Sequence, residues 1–360
     1  MNNLNDLIKT LNLENLNYKN LPKNSVVCLI APTASGKTDL AFKLYETGRF
    51  ELISVDSALI YRGMNVGTAK PTPAELSRFP HHLVDIIAPT DTYNVATFVA
   101  DVEILINQIH QNNKIPLLVG GTMMYYMALL DGLSAVPDTQ PATRQKVMAW
   151  LNDEGIGDLY AYLQTHDPDI CERLKISDTQ RITRAVEVYL QTGTPMSVWQ
   201  ATPKTAPCHD LSQLWLTLSV EPDRAWLHER IEKRLDVMWE NGLVEEVVAL
   251  LEQYPTLTPD MPSMRCVGYR QVLEFLAIKE HEVMQISPAW QSFSKNLQKE
   301  PSNTIQMACQ DMKNKALYAT RQLAKRQSTW QRSLARLNDV HRSSFIASFS
   351  SIQEVEKQLL

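Results

Sequence analysis

Short apolar runs alternate with amphipathic segments along the first third of the chain. Residues 26–30, 51–56, 81–89 and 115–122 are rich in β-branched and other apolar residues, which predicts strands. Apolar residues recur at helical spacing after residue 38, in residues 93–111 and in residues 123–134. Strands that alternate with helices predict an α/β fold with a parallel sheet. Residues 214–220 alternate as a strand and are predicted to return to this sheet.

From residue 138 the pattern becomes helical. Helices are predicted at residues 143–152, 156–165, 168–174 and 178–192, so residues 138–200 are expected to form an inserted all-helical lobe. Two more helices follow residue 220, residues 278–312 are predicted to be irregular because Pro288 and Pro301 act as breakers, and residues 313–336 form a last helix. The predicted organisation is a polar extension (1–24), an α/β core (25–137), the lobe (138–200), the return of the core with a helical C-terminal region (201–337, including an insertion at 280–312) and a tail (338–360).

Residues 31–38 read APTASGKT and connect the first predicted strand to a helix. The spacing is that of a P-loop, G-x-x-x-x-G-K-[ST], except that Ala31 replaces the first glycine. Backbone N–H groups of such a loop surround a phosphate group at a helix N-terminus. Lys37 would neutralise phosphate oxygens, and the Thr38 hydroxyl would ligate Mg²⁺. The motif predicts a P-loop NTPase-like core; the simpler interpretation is that Gly36, Lys37 and Thr38 only begin a helix.

Polar residues follow two of the other predicted strands. Asp56 ends the second strand, at a position that faces the ligand crevice in open α/β sheets. It is equally compatible with a helix N-cap. The fourth strand ends in Gly120, Gly121 and Thr122, whereas ATP-hydrolysing P-loop enzymes usually carry an acidic residue there. This difference argues against routine ATP hydrolysis.

Composition limits the classes of partner. The net charge of −5 excludes a global electrostatic attraction to nucleic acid. Residues 313–336, however, contain seven Lys or Arg residues and no acid, and helical spacing brings Arg321, Lys325 and Arg332 onto one stripe with Tyr318 and Trp330 interleaved. This segment is the best candidate for a nucleic-acid contact, and a solvated helix face is the alternative.

Other classes of protein are not supported by the sequence. The five cysteines are scattered without a C-x-x-C pair, which predicts free thiols in a reducing cytoplasm rather than a zinc site or disulfide framework. The Asn-rich N-terminus lacks the apolar core of a signal peptide, and no stretch is long and apolar enough to cross a membrane. We therefore expect a cytoplasmic protein, with no membrane partner, that acts as a monomer.

Six stretches together resemble the bacterial tRNA dimethylallyltransferases, from about residue 26 to about residue 330. They are APTASGKT (31–38), ISVDSALIYRGMNVGTAKP (53–71), PLLVGGTMMYY (116–126), DTQRITRAVEV (178–188), PSMRCVGYRQ (262–271) and ATRQLAKRQ (319–327). The resemblance implies transfer of the dimethylallyl group from dimethylallyl diphosphate to N6 of the adenosine 3′ to the anticodon in tRNA. Diphosphate is released, and Mg²⁺ is the implied cofactor.

The resemblance also implies roles for individual residues. Asp56 matches the general base, Thr122 a residue that bridges the base, the carboxylate or the phosphate, and Lys37 the group that neutralises the leaving diphosphate. Diphosphate would be bound by Ala31, Pro32, Thr33, Ala34, Ser35, Gly36, Lys37, Thr38 and Arg224.

The residues that the resemblance assigns to tRNA lie in several segments. They are Asp56, Ser57, Ala58, Leu59, Thr122, Arg144, Gln180, Arg181, Ile182, Thr183, Arg184, Arg265, Cys266, Val267, Gly268, Tyr269 and Arg270, to which the basic helix adds Arg321 and Lys325. The departures are Ala31, Asn65 in place of the usual Asp, and the long segment before residue 313. Three other functions remain open at this point: a P-loop kinase or ATPase, an adenylate isopentenyltransferase, and a non-catalytic RNA-binding module.

Overall fold

The computed structural model describes residues 17–297, 305–335 and 344–360. A sheet of parallel strands has the order β3-β2-β4-β1-β5-β6. Its strands are β1 (Ser25–Ile30), β2 (Phe50–Val55), β3 (His81–His82), β4 (Ile115–Gly120), β5 (Leu214–Val220) and β6 (Ser344–Phe349). The strands β1, β4 and β5 are buried along their whole length, which explains their continuous apolar runs. The predicted α/β fold with a parallel sheet is confirmed.

Helices connect these strands and continue after them. They are α1 (Lys37–Glu46), α2 (Pro73–Arg78), α3 (Val95–Gln111), α4 (Met123–Leu130), α5 (Pro141–Glu154), α6 (Ile156–His166), α7 (Pro168–Cys171), α8 (Thr179–Thr192), α9 (Met196–Ala201), α10 (Arg224–Glu240), α11 (Leu243–Gln253), α12 (Tyr269–Ile278), α13 (Pro288–Leu297), α14 (Ile305–Ala335) and α15 (Ile352–Leu359). Short 3₁₀ turns lie at Tyr18–Asn20, Pro207–His209, Ser263–Arg265 and Glu282–Gln285. Among the described residues, no helix is long and apolar enough to cross a membrane.

The described residues form two compact units. The larger unit comprises the residues up to Leu130 and from Pro207 onward, and it contains the sheet and the helices α10 to α15. The smaller unit spans Asp131–Ala206 and is helical, with Leu159, Leu163 and Val186 among its buried residues. The predicted lobe (138–200) lies within the smaller unit, and its role in binding tRNA stays a prediction.

The predicted strand at residues 81–89 is wrong beyond its first two residues. Only His81 and His82 pair with β2. Leu83 and Asp85 then take left-handed backbone conformations, with φ of 63° and 55°, and such residues cannot continue an extended strand. The Asp85 carboxylate accepts a hydrogen bond from Lys70 Nζ at 2.5 Å, which holds this turn against the preceding loop.

The C-terminal third is more regular than expected. Residues 278–312 were predicted to be irregular, but their described part is largely helical: Pro288 begins α13, where a missing N–H costs nothing, and Trp290 is fully buried. The tail supplies β6, which pairs in parallel with β5, and α15, which packs its apolar face under α1. The sequence analysis predicted neither element. Most of the N-terminal extension (1–16) and residues 298–304 of the insertion lie outside the described residues.

Candidate functional site

The site is built from the ends of three neighbouring strands. In the sheet, β4 lies between β1 and β2, so the residues that follow these strands meet at one edge. The phosphate loop follows β1, Asp56 follows β2, and Gly121 and Thr122 follow β4. The carboxyl ends of parallel strands are the usual place for a ligand.

The phosphate loop has the strained backbone expected of an anion cradle. Ala34 and Gly36 have φ of 63° and 90°, and helix α1 begins directly afterwards at Lys37. The left-handed residues are therefore in the middle of the loop, not at Ala31, so alanine at the loop start needs no unusual conformation. Among the described residues, the buried Ser35 hydroxyl has no hydrogen-bond partner, so it is available to donate to an anion in the loop.

Two arginines of α10 close this loop from the opposite side. Arg230 Nε donates to the carbonyl of Ala34 at 2.8 Å, and the Arg234 guanidinium donates to the carbonyl of Thr68 at 3.1 Å. Both cations are thus held by neutral backbone groups. Burial lowers the pKa of Lys37 to about 8, with the charge of Arg234 acting in the same direction and that of Asp56 opposing it. The three cations create a strongly anion-attracting point.

Two cavities meet at this point. The smaller, of about 320 Å³, is lined by residues 34–38 together with Arg230, Arg234 and Val237. The larger, of about 520 Å³, is lined on one side by Asp56 and Thr122 and on another by apolar side chains of α10. Lys37 and Arg234 line both cavities. A charged ligand and an uncharged one can therefore meet beside Lys37.

The Asp56 side chain is held in place by backbone N–H groups of the turn that follows it. Its Oδ1 accepts hydrogen bonds from the N–H groups of Ala58 at 2.9 Å and Leu59 at 3.4 Å. Within the described part of the chain, its Oδ2 has no donor. Thr122 Oγ accepts from the N–H of Ser57 at 2.9 Å, which joins the ends of β2 and β4. Asp56 thus caps a turn and lines the larger cavity. The alternative interpretation as a helix N-cap is wrong, because residues 57–60 form a turn and no helix begins there.

Comparison with known proteins assigns the family. Residues 59–334 match the model of the family described as IPP transferase. The chain is 59% identical over 346 residues to a tRNA dimethylallyltransferase of Psychrobacter arcticus, covering 89% of this chain and 83% of the relative. The chain belongs to the IPP transferase family. A tRNA dimethylallyltransferase of Acinetobacter baumannii is 46% identical over 316 residues, with 87% and 92% covered.

Solved structures agree on the fold. The full-length tRNA isopentenylpyrophosphate transferase of Bacillus halodurans superposes with a TM-score of 0.55 at 26% identity, covering 93% of this chain and 94% of the other. A eukaryotic dimethylallyltransferase acting on tRNA gives a TM-score of 0.67 at 23% identity, covering 93% and 76%. The architecture of this IPP transferase family member is therefore shared with proteins of distant sequence.

The residues predicted to bind tRNA fall into groups in this family member. Asp56, Ser57, Ala58, Thr122 and the segment Arg265–Gly268 line the larger cavity, whereas Leu59 does not. Tyr269 is buried, and Arg270 stacks on Phe293 with 4.7 Å between the guanidinium and the ring centroid. These two residues do not line the larger cavity but pack next to the segment that does. Arg321 of α14 forms an ion pair with Glu232 of α10 at 3.1 Å. Lys325 is exposed on α14.

The remaining predicted contacts lie in the smaller unit. Arg184 donates to the carbonyl of Pro137 at 2.7 Å, and Arg144 lies 3.8 Å from Glu187. Arg181 is exposed and forms an ion pair with Asp178. Gln180 is also exposed, while Ile182 and Thr183 are buried in the helix core. Gln180, Arg181 and Arg144 are the exposed members of this group.

Sequence reasoning missed several residues of the site. Arg230 and Arg234, which line the smaller cavity, were not identified from the sequence, whereas Arg224, the predicted diphosphate contact, begins α10 and lines neither cavity. The signal for Arg230 and Arg234 was their i, i+4 spacing next to a strand that returns to the sheet. Gln327 and Glu246, which position the loops around the site, gave no signal of their own.

Proposed function

We propose that this protein transfers the dimethylallyl group of dimethylallyl diphosphate to N6 of the adenosine that follows the anticodon in tRNA. The observation that carries the proposal is the junction of the two cavities. The smaller cavity is lined by cations that can bind phosphate, and the larger is lined by Asp56, whose carboxylate can accept a proton. Lys37 lines both cavities. The similarity to proteins named tRNA dimethylallyltransferase supports the same reaction.

The smaller cavity suits the leaving group. Lys37, Arg230 and Arg234 would neutralise the diphosphate as the bond from C1 of the allyl group to oxygen breaks. The charge grows on the leaving oxygens during this step, so these cations act most strongly in the transition state. The Ser35 hydroxyl, which has no partner in the described part of the chain, would donate a hydrogen bond to a phosphate oxygen.

Mg²⁺ fits this phosphate loop because the diphosphate and one protein group can bind the ion together. The described residues contain no group of three or more His, Cys, Asp or Glu side chains that could hold a metal. Mg²⁺ commonly keeps several waters and binds phosphate oxygens with one or two protein groups, so the Thr38 hydroxyl is a sufficient protein ligand. When bound, Mg²⁺ supplies additional positive charge to the departing diphosphate.

The larger cavity suits the acceptor. The lone pair of the adenine amine is delocalised into the ring, so its attack on carbon requires removal of a proton. Asp56 Oδ2 would accept this proton as the bond from N6 to C1 forms. Thr122 fixes the turn that carries Asp56. The apolar side chains of Ile231, Leu235 and Met238 would surround the five-carbon group.

The tRNA would reach this cavity by presenting an unstacked base. Bases in single-stranded loops can be splayed out and bound in a pocket, and chemistry on a base requires it to leave the stack. Arg265 and Arg326 line the cavity, and Lys325 lies on the exposed side of the same helix as Arg326. These cations would bind the anticodon stem-loop, with the protein acting as a cytoplasmic monomer. The exposed residues of the smaller unit are a separate candidate contact with tRNA.

Mass spectrometry of tRNA nucleosides tests the proposal directly. Unmodified tRNA with an adenosine 3′ to the anticodon is incubated with the protein, dimethylallyl diphosphate and Mg²⁺, then digested. We expect N6-dimethylallyladenosine at that position, and none when the target adenosine is replaced by guanosine. Modification of free AMP in place of tRNA would identify an adenylate isopentenyltransferase. Robust ATP hydrolysis without prenyl transfer would contradict the proposal.

A further inference from the structure

A buried glutamine of α14 joins two of the three strand ends that form the site. Gln327 Oε1 accepts a hydrogen bond from the backbone N–H of Thr33 in the phosphate loop at 3.1 Å. Its Nε2 donates to the carbonyl of Gly121, at the end of β4, at 2.8 Å. The side chain is only 7% exposed. One amide group therefore spans the gap between the phosphate cradle and the segment that carries Thr122.

The contact with Gln327 leaves little room for a side chain at position 121. A Cβ atom built on Gly121 would lie 2.4 Å from Gln327 Nε2, and its next nearest neighbour, the carbonyl oxygen of Ala31, is at 3.5 Å. The backbone of Gly121 does not have the positive φ that would exclude other residues. A side chain at position 121 would therefore displace the Gln327 amide from its contact with this segment. Gly120 differs, because a Cβ there would lie 2.0 Å from the carbonyl oxygen of Val55.

We propose that Gln327 is a positioning residue of the transfer reaction. By bonding Thr33 and Gly121 at the same time, it sets the distance between the diphosphate cradle and the Thr122–Asp56 turn. The inference rests on the proposed function, in which the two reactants are held on these two sides. Small errors in such a distance are costly, because a misplacement of about 1 Å can slow a reaction about 100-fold.

The position of Gln327 on α14 adds a second consequence. The adjacent Arg326 and the exposed Trp330 also line the larger cavity. The helix that would contact the nucleic acid is therefore bonded directly to the phosphate loop. Displacement of this helix moves Thr33 through the bond from Gln327, so the two substrate sides are mechanically connected.

The same helix provides a matched control. Gln331 lies one turn further along and is 3% exposed. Its Nε2 donates to the carbonyls of Ile30 and Val220, at 3.3 and 3.0 Å, within the strands β1 and β5. Gln331 therefore ties α14 to the last residues of β1 and β5, and it bonds neither Thr33 nor Gly121. Its replacement removes buried hydrogen bonds from the amide Nε2 to backbone carbonyls without releasing the contact between Thr33 and Gly121.

Near-isosteric variants separate positioning from stability. Gln327→Met and Gln331→Met are compared by thermal unfolding, by steady-state kinetics and by calorimetric binding of inorganic diphosphate with Mg²⁺. We expect both to lower the melting temperature. Only Gln327→Met should lower kcat, by about 30- to 100-fold, with the KM for tRNA within about threefold of wild type. It should also weaken diphosphate binding at least about fivefold. Equal kinetic losses in both variants, or a kcat within threefold of wild type in Gln327→Met, would overturn the proposal.

A double-mutant cycle provides a second test if Gln327→Met folds poorly. Gly121→Ala should reduce kcat at least about tenfold, because its methyl group displaces the Gln327 amide. In the background of Gln327→Ala, the same change should cost less than threefold. Additive losses would refute the coupling. The diphosphate-binding measurement does not need prenyl transfer, so it tests Gln327 even if wild-type protein fails to modify tRNA, a result that would refute only the proposed reaction.

Discussion

Glu246 is the anchor of the loop that holds Arg234, and its replacement by glutamine is the most direct test of the described packing. The carboxylate lies in the first turn of α11 and accepts four hydrogen bonds. Oε2 accepts from the N–H groups of Asn65 and Val66 at 2.9 and 2.7 Å, and Oε1 from the N–H of Gly67 at 3.1 Å and the hydroxyl of Tyr269 at 2.6 Å. The next residue, Thr68, accepts the hydrogen bond from Arg234.

The size of the effect follows from these bonds. Glutamine retains one acceptor oxygen, so two of the four donors would face an amide NH₂ group instead of an oxygen. Each hydrogen bond to a charged group is worth about 1.5–3 kcal/mol, which predicts that Glu246→Gln lowers the free energy of unfolding by about 3–6 kcal/mol. At about 2 °C per kcal/mol, the melting temperature should fall by about 6–12 °C. The loosened loop should also raise the KM for dimethylallyl diphosphate.

The neighbouring residue provides the control. Glu245 lies in the same helical turn with an exposed side chain, so Glu245→Gln removes the same charge from the helix N-terminus without breaking the loop anchor. The helix-dipole contribution is about 0.3–1 kcal/mol, and the melting temperature should fall by no more than about 2 °C. Differential scanning calorimetry and substrate titration measure both quantities. Equal shifts for the two variants would show that the Glu246 carboxylate does not anchor residues 65–67.

Four further predictions concern the reaction. Asp56→Asn should lower kcat by about 10²–10⁴-fold with little change in tRNA affinity, because an amide cannot accept the N6 proton; quenched single-turnover assays and filter binding measure the two effects. Arg234→Met should lower kcat/KM for dimethylallyl diphosphate by about 10²-fold, since a cation beside the leaving group is lost. Chelation by EDTA should abolish transfer, and excess Mg²⁺ should restore it, whereas activity that persists in EDTA would exclude the proposed metal. Burial, with the charge of Asp56, raises the pKa of Cys266 to about 12, so this thiol stays protonated at pH 7.5; peptide mass spectrometry should find it unmodified by iodoacetamide although it lines the cavity.

The site adapts a phosphate loop to chemistry at carbon. In a nucleotide-hydrolysing P-loop enzyme, the loop holds the phosphoryl group that is attacked. Here the strand beside the loop ends in Gly120, Gly121 and Thr122, and the carboxylate comes from the next strand, at Asp56. The proposed proton acceptor is therefore separated from the phosphate loop by the width of β4. In the proposed reaction, the cations of the phosphate loop and of α10 would stabilise a departing diphosphate.

Much of the local structure was determined by the sequence itself. The strands β1, β4 and β5 have apolar runs with few polar interruptions. Such runs favour strands that are buried on both faces, as in a parallel sheet. The loop at residues 31–38 was recognisable because its glycine, lysine and threonine have roles that depend on spacing along the chain alone. Asp56 could be placed at a strand end for the same reason.

Only the tertiary structure decided which distant groups meet. Insertion of β4 between β1 and β2 brings Thr122 beside Ser57, and the packing of α10 and α14 brings Arg234 and Gln327 to the loop ends. Strand β6 likewise forms only because β5 offers an edge with which it can pair. Local patterns specify which face of an element is apolar, whereas contacts between elements depend on the order of the strands and on how their connections cross. A helix that carries arginines or glutamines four residues apart has the same local pattern whether these side chains face solvent or close a catalytic site.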